Sequence, residues 1–248
     1  MWLSVLAWAY ISVCLACAGI IAGDILIGRR RQPMGVMNFV FPITALYFGP
    51  LALAFYWRWA RVPARTAARA PMPAMAGAPE RGPAGAPSDN SKKRRSRHRP
   101  GWVTMAIETS HCGAGCSLGD LIAEFVIFWL ALSIAGLALG AEFIGDYLVA
   151  LAFGIVFQYF AIAPMRGLGI KDGLAAATKA DFISLTAFEI GLFGWMAVMT
   201  FVLFPAPHTL MPSSAAFWLL MQVGMMIGYF TSWPANVWLI RRGIKVPM

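Results

Sequence analysis

The sequence predicts an all-α membrane protein, a polytopic bundle of about six transmembrane helices. Hydrophobic residues make up 59% of the 248 residues and charged residues 12%, whereas about a quarter of the residues in soluble domains are charged. The apolar residues are gathered into segments of about 20, the length that a helix needs to cross the hydrocarbon core of a bilayer. One long segment rich in Pro, Ala, Gly and positive charge separates two groups of these segments. Together these observations exclude a soluble globular domain.

Each apolar segment is predicted to be a helix, because a helix satisfies its own backbone hydrogen bonds in lipid. The first begins at Trp2 with no basic residues ahead of it, and it is too long for the apolar region of a signal peptide. We therefore interpret it as a retained span. The predicted spans are 2–27, 35–57, 118–139, 143–163, 182–204 and 215–240.

The segment between the second and third spans has the composition of a disordered linker, because its Ala, Pro, Gly and charged residues leave nothing to bury. Its basic run also fits nucleic-acid binding, but an excess of positive charge is typical of the cytoplasmic loops of membrane proteins, so no nucleic-acid partner is predicted. The predicted organisation is an N-terminal transmembrane hairpin at 1–57, a disordered basic cytoplasmic linker at 58–100 and a four-helix transmembrane domain at 101–248.

Loop charges predict the orientation. The linker, the 165–180 loop and the C-terminal tail are basic, whereas the predicted loops 140–146 and 205–214 contain no Lys or Arg. By the positive-inside rule the basic loops and both termini are cytoplasmic in a bacterial inner membrane. Three arginines at 29–31 do not fit, because alternation puts their short turn outside. Either the N-terminal hairpin is unusual, being tilted or re-entrant, or this orientation is wrong.

A ladder of polar and sulfur-bearing side chains runs into the third span through the stretch HCGAGCSLGD. If the helix extends upstream to Glu108, residues at every fourth position are neighbours on its surface. The ladder climbs about 24 Å over its sixteen residues, so it leads from cytoplasmic water into the bilayer, as an ion path does. Its members are Glu108, Cys112, Cys116, Asp120 and Glu124.

Acidic residues within spans are functional candidates, because a charge at the bilayer centre costs from about 2.5 kcal/mol upward. Asp120 lies within one turn of the predicted interface, whereas Glu124 and Glu189 lie deeper. The predicted orientation puts Glu124, Gln158, Tyr159 and Glu189 at a comparable depth. We expect them to form one polar layer that passes an ion or a counter-moving proton.

The thiols predict a soft metal ion, because sulfur ligands select Cu(I) first and Zn(II) next. His111, Cys112 and Cys116 offer up to three ligands on one segment, followed by Asp120 and Glu124. The sequence therefore predicts a membrane protein that binds and transports such an ion. It contains no glycine-rich nucleotide-binding loop and no HExxH motif, so neither a nucleotide cofactor nor an enzymatic activity is favoured.

Two alternative functions stay open. A membrane thiol–disulfide oxidoreductase would use Cys112 and Cys116, but a helix holds their Cβ atoms about 6 Å apart, and a disulfide needs about 3.5–4.5 Å. The neighbouring glycines weaken that helix, and a glycine-rich loop in its place would let the bond close. Alternatively, the segment is a tight helix-entry turn in a structural or assembly subunit. Cys14 and Cys17 lie mid-span, where cysteines more often pack than bind metal.

Four stretches resemble a known family: MGVMNFVFPITALYFGPLALAFY (34–56), HCGAGCSLGD (111–120), FQYFAIAPMRGL (157–168) and KADFISLTAFEIGLFGWM (179–196). They are similar to bacterial multi-pass membrane proteins of the domain of unknown function 4396 family. The resemblance implies a multi-pass bundle, and it implies no reaction and no site residues. The metal hypothesis adds the lipid bilayer and either a metallochaperone or a larger membrane complex as partners, and a homo-oligomer is compatible with it.

Overall fold

The computed structural model describes residues 2–63, 100–134, 136–166 and 169–245, without the side chains of 161–166, 176 and 180. Most of the predicted linker, residues 64–99, lies outside the described residues. The helices are α1 (Trp2–Leu26), α2 (Met37–Phe48), α3 (Pro50–Phe55), α4 (Gly101–Leu130), α5 (Ala138–Arg166), α6 (Ile170–Val198) and α7 (Ala215–Arg241), with π-helical turns at Tyr56–Ala60 and Met199–Leu203.

Five of these helices, α1 and α4 to α7, are long and apolar enough to cross a membrane. The predicted all-α membrane bundle is thereby confirmed. Two boundaries differ from the prediction. Helix α4 begins at Gly101, well upstream of the predicted span, and α5 begins at Ala138, so that residues 140–146 form its first turns and not a loop.

The second predicted span is a pair of short helices that turns back on itself. Helix α2 ends at Gly49, which has a φ of +54°, and Pro50 begins α3. Both ends of this pair lie beside the end of α1: Arg61 Nη2 is 2.6 Å from Asp24 Oδ1, and Gln32 Nε2 donates to the Ala60 carbonyl at 3.2 Å. The hydrogen bond to Asp24 raises the pKa of Arg61 above its usual value. Residues 37–60 therefore form a re-entrant hairpin, which enters and leaves at one end of the bundle.

The tip of the re-entrant hairpin lies beside the middle of α1, at a depth where water cannot satisfy exposed backbone groups. Side chains from α1 and α7 do so instead. The Tyr10 hydroxyl donates to the Tyr47 carbonyl at 2.9 Å, and Gln222 Nε2 donates to the Leu46 carbonyl at 2.6 Å. The tip is thus enclosed in protein, which is the setting in which irregular backbone is tolerated inside a membrane.

The re-entrant hairpin brings the basic segments to one end of the bundle, which we call the basic end. Arg61 pairs with Asp24, Trp59 packs on Trp102 at 5.6 Å, and Lys245 pairs with Glu108, so α1 ends, α4 begins and α7 ends there. The opposite, far end contains the connections 131–137 and 204–214, which have no Lys or Arg. Because the five long helices alternate in direction, Trp2 at the start of α1 lies at the far end and Lys245 lies at the basic end.

Helix α4 packs closely against α5. A Cβ atom on Gly119 would lie 2.5 Å from the Ala150 Cα, and one on Gly115 would lie 3.0 Å from the Gly154 Cα. Only glycine permits this approach of two backbones. The contact fixes the antiparallel register of the two helices, and thereby decides which side chains of α4 and α5 share a depth.

This packing predicts that Gly119→Ala destabilises the bundle, because α5 has to move away from the new methyl group. Overpacking of this kind costs about 1–3 kcal/mol. Gly23→Ala in α1 is the matched control: nothing lies within 4 Å of its Cβ position, and the change gains about 0.5–1 kcal/mol of helix propensity. Thermal unfolding in detergent measures both. Equal shifts of Tm in the two variants would contradict the close contact.

The re-entrant hairpin predicts that residues 31 and 63 lie on the same side of the membrane. Single cysteines at Arg31→Cys and Pro63→Cys, in a background without the four native cysteines, are expected to react with an impermeant maleimide from the same face of oriented vesicles. Arg242→Cys should react from that face and His208→Cys from the other. Labelling of 31 and 63 from opposite faces would show that the segment crosses.

Candidate functional site

The ladder on α4 faces the interior of the bundle. Helix α4 is unbroken from Gly101 to Leu130, in spite of its glycines, so residues four apart do lie on one face. Each member of the ladder is at most 1% exposed. We call these five residues the α4 ladder: Glu108, Cys112, Cys116, Asp120 and Glu124.

Helix α6 supplies the groups that meet the ladder nearest the basic end. Cys112 Sγ lies 3.3 Å from Ser184 Oγ. The Ser184 hydroxyl in turn donates to the backbone carbonyl of Asp181 at 3.0 Å and lies 3.3 Å from its carboxylate. Asp181 and Ser184 are themselves buried, so the thiol is connected to a buried carboxylate through one hydroxyl group.

The middle of the ladder meets a second carboxylate of α6. The Cys116 thiol lies next to Cys112 and next to the Glu189 carboxylate, and Asp120 lies within electrostatic range of Glu189 and of Asp146. Glu189 is 1% exposed and Asp146 is fully buried. Thiols and carboxylates thus follow each other without an intervening apolar layer.

The far part of the ladder meets two acids of α5. Glu124 lies beside Asp146 and Glu142, which are four residues apart on one face of α5. Sequence analysis missed both, because it placed 140–146 in a loop outside the membrane. Their i, i+4 spacing is the same as that of the α4 ladder, and it was the signal available in the sequence.

Four of these acids have no ion pair and no well-formed hydrogen bond in the part of the chain that the structure describes. Glu124 and Asp146 face each other, and Glu189 faces the Cys116 thiol. Even so, none of their carboxylate oxygens, nor those of Asp120, has a partner of good hydrogen-bond geometry there. The ion pairs found there involve other carboxylates. A buried carboxylate charge without compensation costs several kcal/mol or more. This cluster therefore requires protons or a mobile cation, and it can exchange one for the other.

The two thiols of α4 are free and adjacent, and His111 does not join them. Its ring lies 6.3 Å from that of Phe157 on α5, because a residue next to Cys112 in sequence is turned about 100° around the helix. Within the described ranges, no three His, Cys, Asp or Glu side chains form a group that could hold a metal ion. A pair of thiolates is sufficient for Cu(I), which accepts two-coordinate sulfur sites, whereas structural Zn(II) sites take four ligands.

The predicted polar layer of Glu124, Gln158, Tyr159 and Glu189 is divided between two depths. Because Gly115 lies opposite Gly154, the antiparallel register puts Gln158 level with His111. Glu124 is thirteen residues further along α4, about 20 Å toward the far end. The predicted layer is wrong because the third span was predicted to begin at residue 118, whereas α4 begins at Gly101. The later start placed Glu124 too near the basic end.

Gln158 and Tyr159 are accordingly remote from the acids of the far half. Gln158 is 1% exposed, and its Oε1 has no hydrogen-bond partner within the described ranges. The Tyr159 ring packs on Phe160 at 5.6 Å. Glu189, in contrast, contacts the α4 ladder at Cys116.

The re-entrant hairpin brings Tyr47 to the two thiols. Tyr47 is fully buried, and its hydroxyl would lie 3.1 Å from a Cβ atom on Gly113, between Cys112 and Cys116 in the sequence. It is close enough to interact electrostatically with both thiols. Sequence analysis treated this tyrosine as part of an apolar span, and the Gly49-Pro50 break that places it there was the signal it did not use.

Cys14 and Cys17 lie on α1, against the re-entrant hairpin, and do not meet the α4 thiols. A Cβ atom on Gly49 would lie 3.0 Å from Cys14 Sγ. Cys17 packs in a hydrophobic cluster with residues of α1 and α2, among them Ile21 and Phe41. Their positions are those of packing residues.

A family comparison covers the helices that carry this site. The sequence profile described as Domain of unknown function (DUF4396) matches residues 101–245. The chain belongs to this family. The predicted membership of this family is thus confirmed over 101–245, whereas the stretch 34–56 lies outside the match. The DUF4396 region contains the whole α4 ladder, its partners on α5 and α6, and Lys245. Tyr47 and the re-entrant hairpin lie outside it. No curated protein and no solved structure matches the chain.

The unbroken helix of the DUF4396 region predicts that Cys112 and Cys116 do not form a disulfide. Their Cβ atoms are held about 6 Å apart by helix geometry, beyond the reach of an S–S bond. After mild oxidation, denaturation and alkylation, a peptide containing both residues should carry two alkyl groups. A reversible loss of both alkyl groups would instead support thiol–disulfide exchange.

Proposed function

We propose that the chain binds a soft metal cation, Cu(I) in preference to Zn(II), and transports it through the membrane along the α4 ladder. The observation that carries the proposal is the continuity of buried thiols and uncompensated carboxylates through the bundle. Such groups are costly in a membrane, and they mark ion and proton paths when they face a bundle interior. Apolar side chains in their place would stabilise a purely structural bundle at least as well.

The proposed route follows the contacts. The cation binds first to Cys112 and Cys116, whose protons it displaces. It then passes to Glu189 and Asp120, which adjoin the second thiol. From there it reaches Glu124 and the acids of α5 near the far end. At each carboxylate the cation replaces a proton, so that the interior of the bundle keeps its charge and the proton moves the other way.

The surroundings of the thiol pair support Cu(I). Met196, Met221 and Met225 belong to the same hydrophobic cluster as Cys112 and Cys116, and thioethers are soft ligands of the kind that Cu(I) prefers. A hard ion such as Mg²⁺ would favour an all-oxygen site. Zn(II) would need further nitrogen or sulfur ligands at the pair, and His111 is turned away from it.

The proposed location is a bacterial inner membrane with the basic end in the cytoplasm. The positive-inside rule supports this orientation, because the segments at the far end, 131–137 and 204–214, lack Lys and Arg. With five crossings, it places the C-terminal end in the cytoplasm and the start of α1 outside, in contrast to the expectation that both termini are cytoplasmic. The arginines at 29–31, which did not fit six crossings, fit five.

Metal analysis tests the binding step. Protein purified after loading with Cu(I) is expected to hold about one copper per chain, as a two-thiolate site would. Cys112→Ser/Cys116→Ser should lose it, and Cys14→Ser/Cys17→Ser, also buried, should keep it. Equal, near-zero copper and zinc in the unaltered chain and in both variants would end the proposal.

Uptake into proteoliposomes tests the transport step with the same preparations. Asp120→Asn and Glu189→Gln are expected to lower Cu(I) flux roughly tenfold, which corresponds to about 1.4 kcal/mol, and to leave the copper bound at the thiol pair unchanged. Asp172→Asn, an exposed acid of α6, is the control that should transport normally. Unchanged flux in the two ladder variants would show that the carboxylates do not carry the ion.

A further inference from the structure

Lys245 places a buried positive charge at the basic end of the α4 ladder. Its side chain is 0% exposed. The ammonium lies 3.8 Å from Glu108 Oε2 and 3.8 Å from Asp181 Oδ1, and it donates a hydrogen bond to Asn236 Oδ1 at 2.9 Å. Three helices, α4, α6 and α7, thus each contribute an oxygen to one cation.

The turn after α7 directs this lysine inward. Gly243 has a φ of +69°, a conformation that glycine adopts without strain. The chain then folds back over the end of the helix, where the amides of Ile244 and Lys245 both donate to the Leu239 carbonyl, at 3.0 and 3.3 Å. The ammonium therefore closes the end of the bundle from inside.

The position of the ammonium is the first step of the route to the thiols. Glu108 is the ladder residue one turn before Cys112. Asp181, the other carboxylate, is joined to Cys112 through Ser184. Lys245 thus contacts both of the groups that adjoin Cys112 on its basic-end side.

His111 adjoins this charge without being one of its ligands. It is 1% exposed and lies within electrostatic range of the Lys245 ammonium, but its ring faces Phe157 on α5. The oxygens around the ammonium are therefore those of Glu108, Asp181 and Asn236.

The contacts of Lys245 are suited to release. Direct charge-assisted hydrogen bonds between an ammonium and a carboxylate measure about 2.7–2.9 Å, whereas both carboxylate distances here are 3.8 Å. Among the described residues, one hydrogen bond, to Asn236, holds an ammonium that has three donors. Its flexible stem can swing the charge out without unfolding α7.

We propose that Glu108, Asp181 and Asn236 form a second cation site, and that Lys245 is a tethered cation that occupies it and closes the route to Cys112. A mobile monovalent cation enters when the ammonium leaves. The identity of that cation as Cu(I) rests on the proposed function, whereas the closure of the route by Lys245 does not.

Thiol labelling by a cationic reagent tests the closure. In a Cys14→Ala/Cys17→Ala background, Cys112 and Cys116 are the remaining thiols, and trimethylammonium-ethyl methanethiosulfonate is the probe. If the closed state dominates, with an open state of about 10% or less, Lys245→Met should be labelled about tenfold faster or more. Lys245→Arg keeps the charge and should stay slow. Arg242→Met, at an exposed position, is the control and should be as slow as the background.

Equal labelling of the background and of a folded Lys245→Met, judged by gel filtration and Tm, would overturn the proposal. If that variant does not fold, Asn236→Ala decides. It removes the 2.9 Å hydrogen bond to Lys245 together with the 3.1 Å bond to the Ser232 carbonyl within α7. It too should speed labelling, so an unchanged rate in folded protein overturns the closure. Absence of bound Cu(I) together with the expected labelling would reject the proposed ion and keep the closure. Bound Cu(I), together with a labelling rate that does not depend on Lys245, would keep the proposed ion and reject the closure.

Discussion

The rotation of α4 about its own axis is the constraint on which the rest of the structure depends. A carboxylate turned toward lipid costs several kcal/mol, and α4 carries Glu108, Asp120 and Glu124 on one face. That face has to meet protein, and α5, α6 and α7 are arranged around it. The opposite face presents Phe125, Trp129 and other apolar side chains outward. The glycines of α4 serve the same end, because they let α5 approach until its own acids reach the ladder.

The re-entrant hairpin depends on a second constraint, the satisfaction of backbone carbonyls at membrane depth. Tyr10 and Gln222 meet it from α1 and α7, so the tip is fixed to both halves of the molecule. Fixing the tip also fixes Tyr47 beside the thiols. A segment outside the family region thus forms part of the environment of the candidate site, and the N-terminal helices are more than a membrane anchor for the rest.

Sequence reasoning found the parts of the site that follow from local periodicity. The α4 ladder could be predicted because i, i+4 spacing is a property of one helix. The contributions of Asp181 and Lys245 could not, because the contacts between helices decide them. His111 shows the opposite error: it is adjacent to Cys112 in sequence and faces another helix. The re-entrant hairpin had two local signals, the Gly49-Pro50 break and the arginines at 29–31, but hydropathy alone does not distinguish a span from a hairpin of the same length.

Two ion-pair contacts at the basic end, one of Arg61 and one of Lys245, show how the choice between arginine and lysine sets the mobility of a contact. Arg61 holds Asp24 at two points, with Nε donating to Oδ2 at 3.0 Å and Nη2 to Oδ1 at 2.6 Å. Such a planar, bidentate pair fixes both distance and direction, as closing the re-entrant hairpin requires. Lys245 presents a single point charge at 3.8 Å from each of its two carboxylates. An arginine in that place would form bidentate hydrogen bonds to the carboxylates and would be held in position. A lysine is therefore the residue expected where a side-chain charge occupies a site only until a mobile ion replaces it.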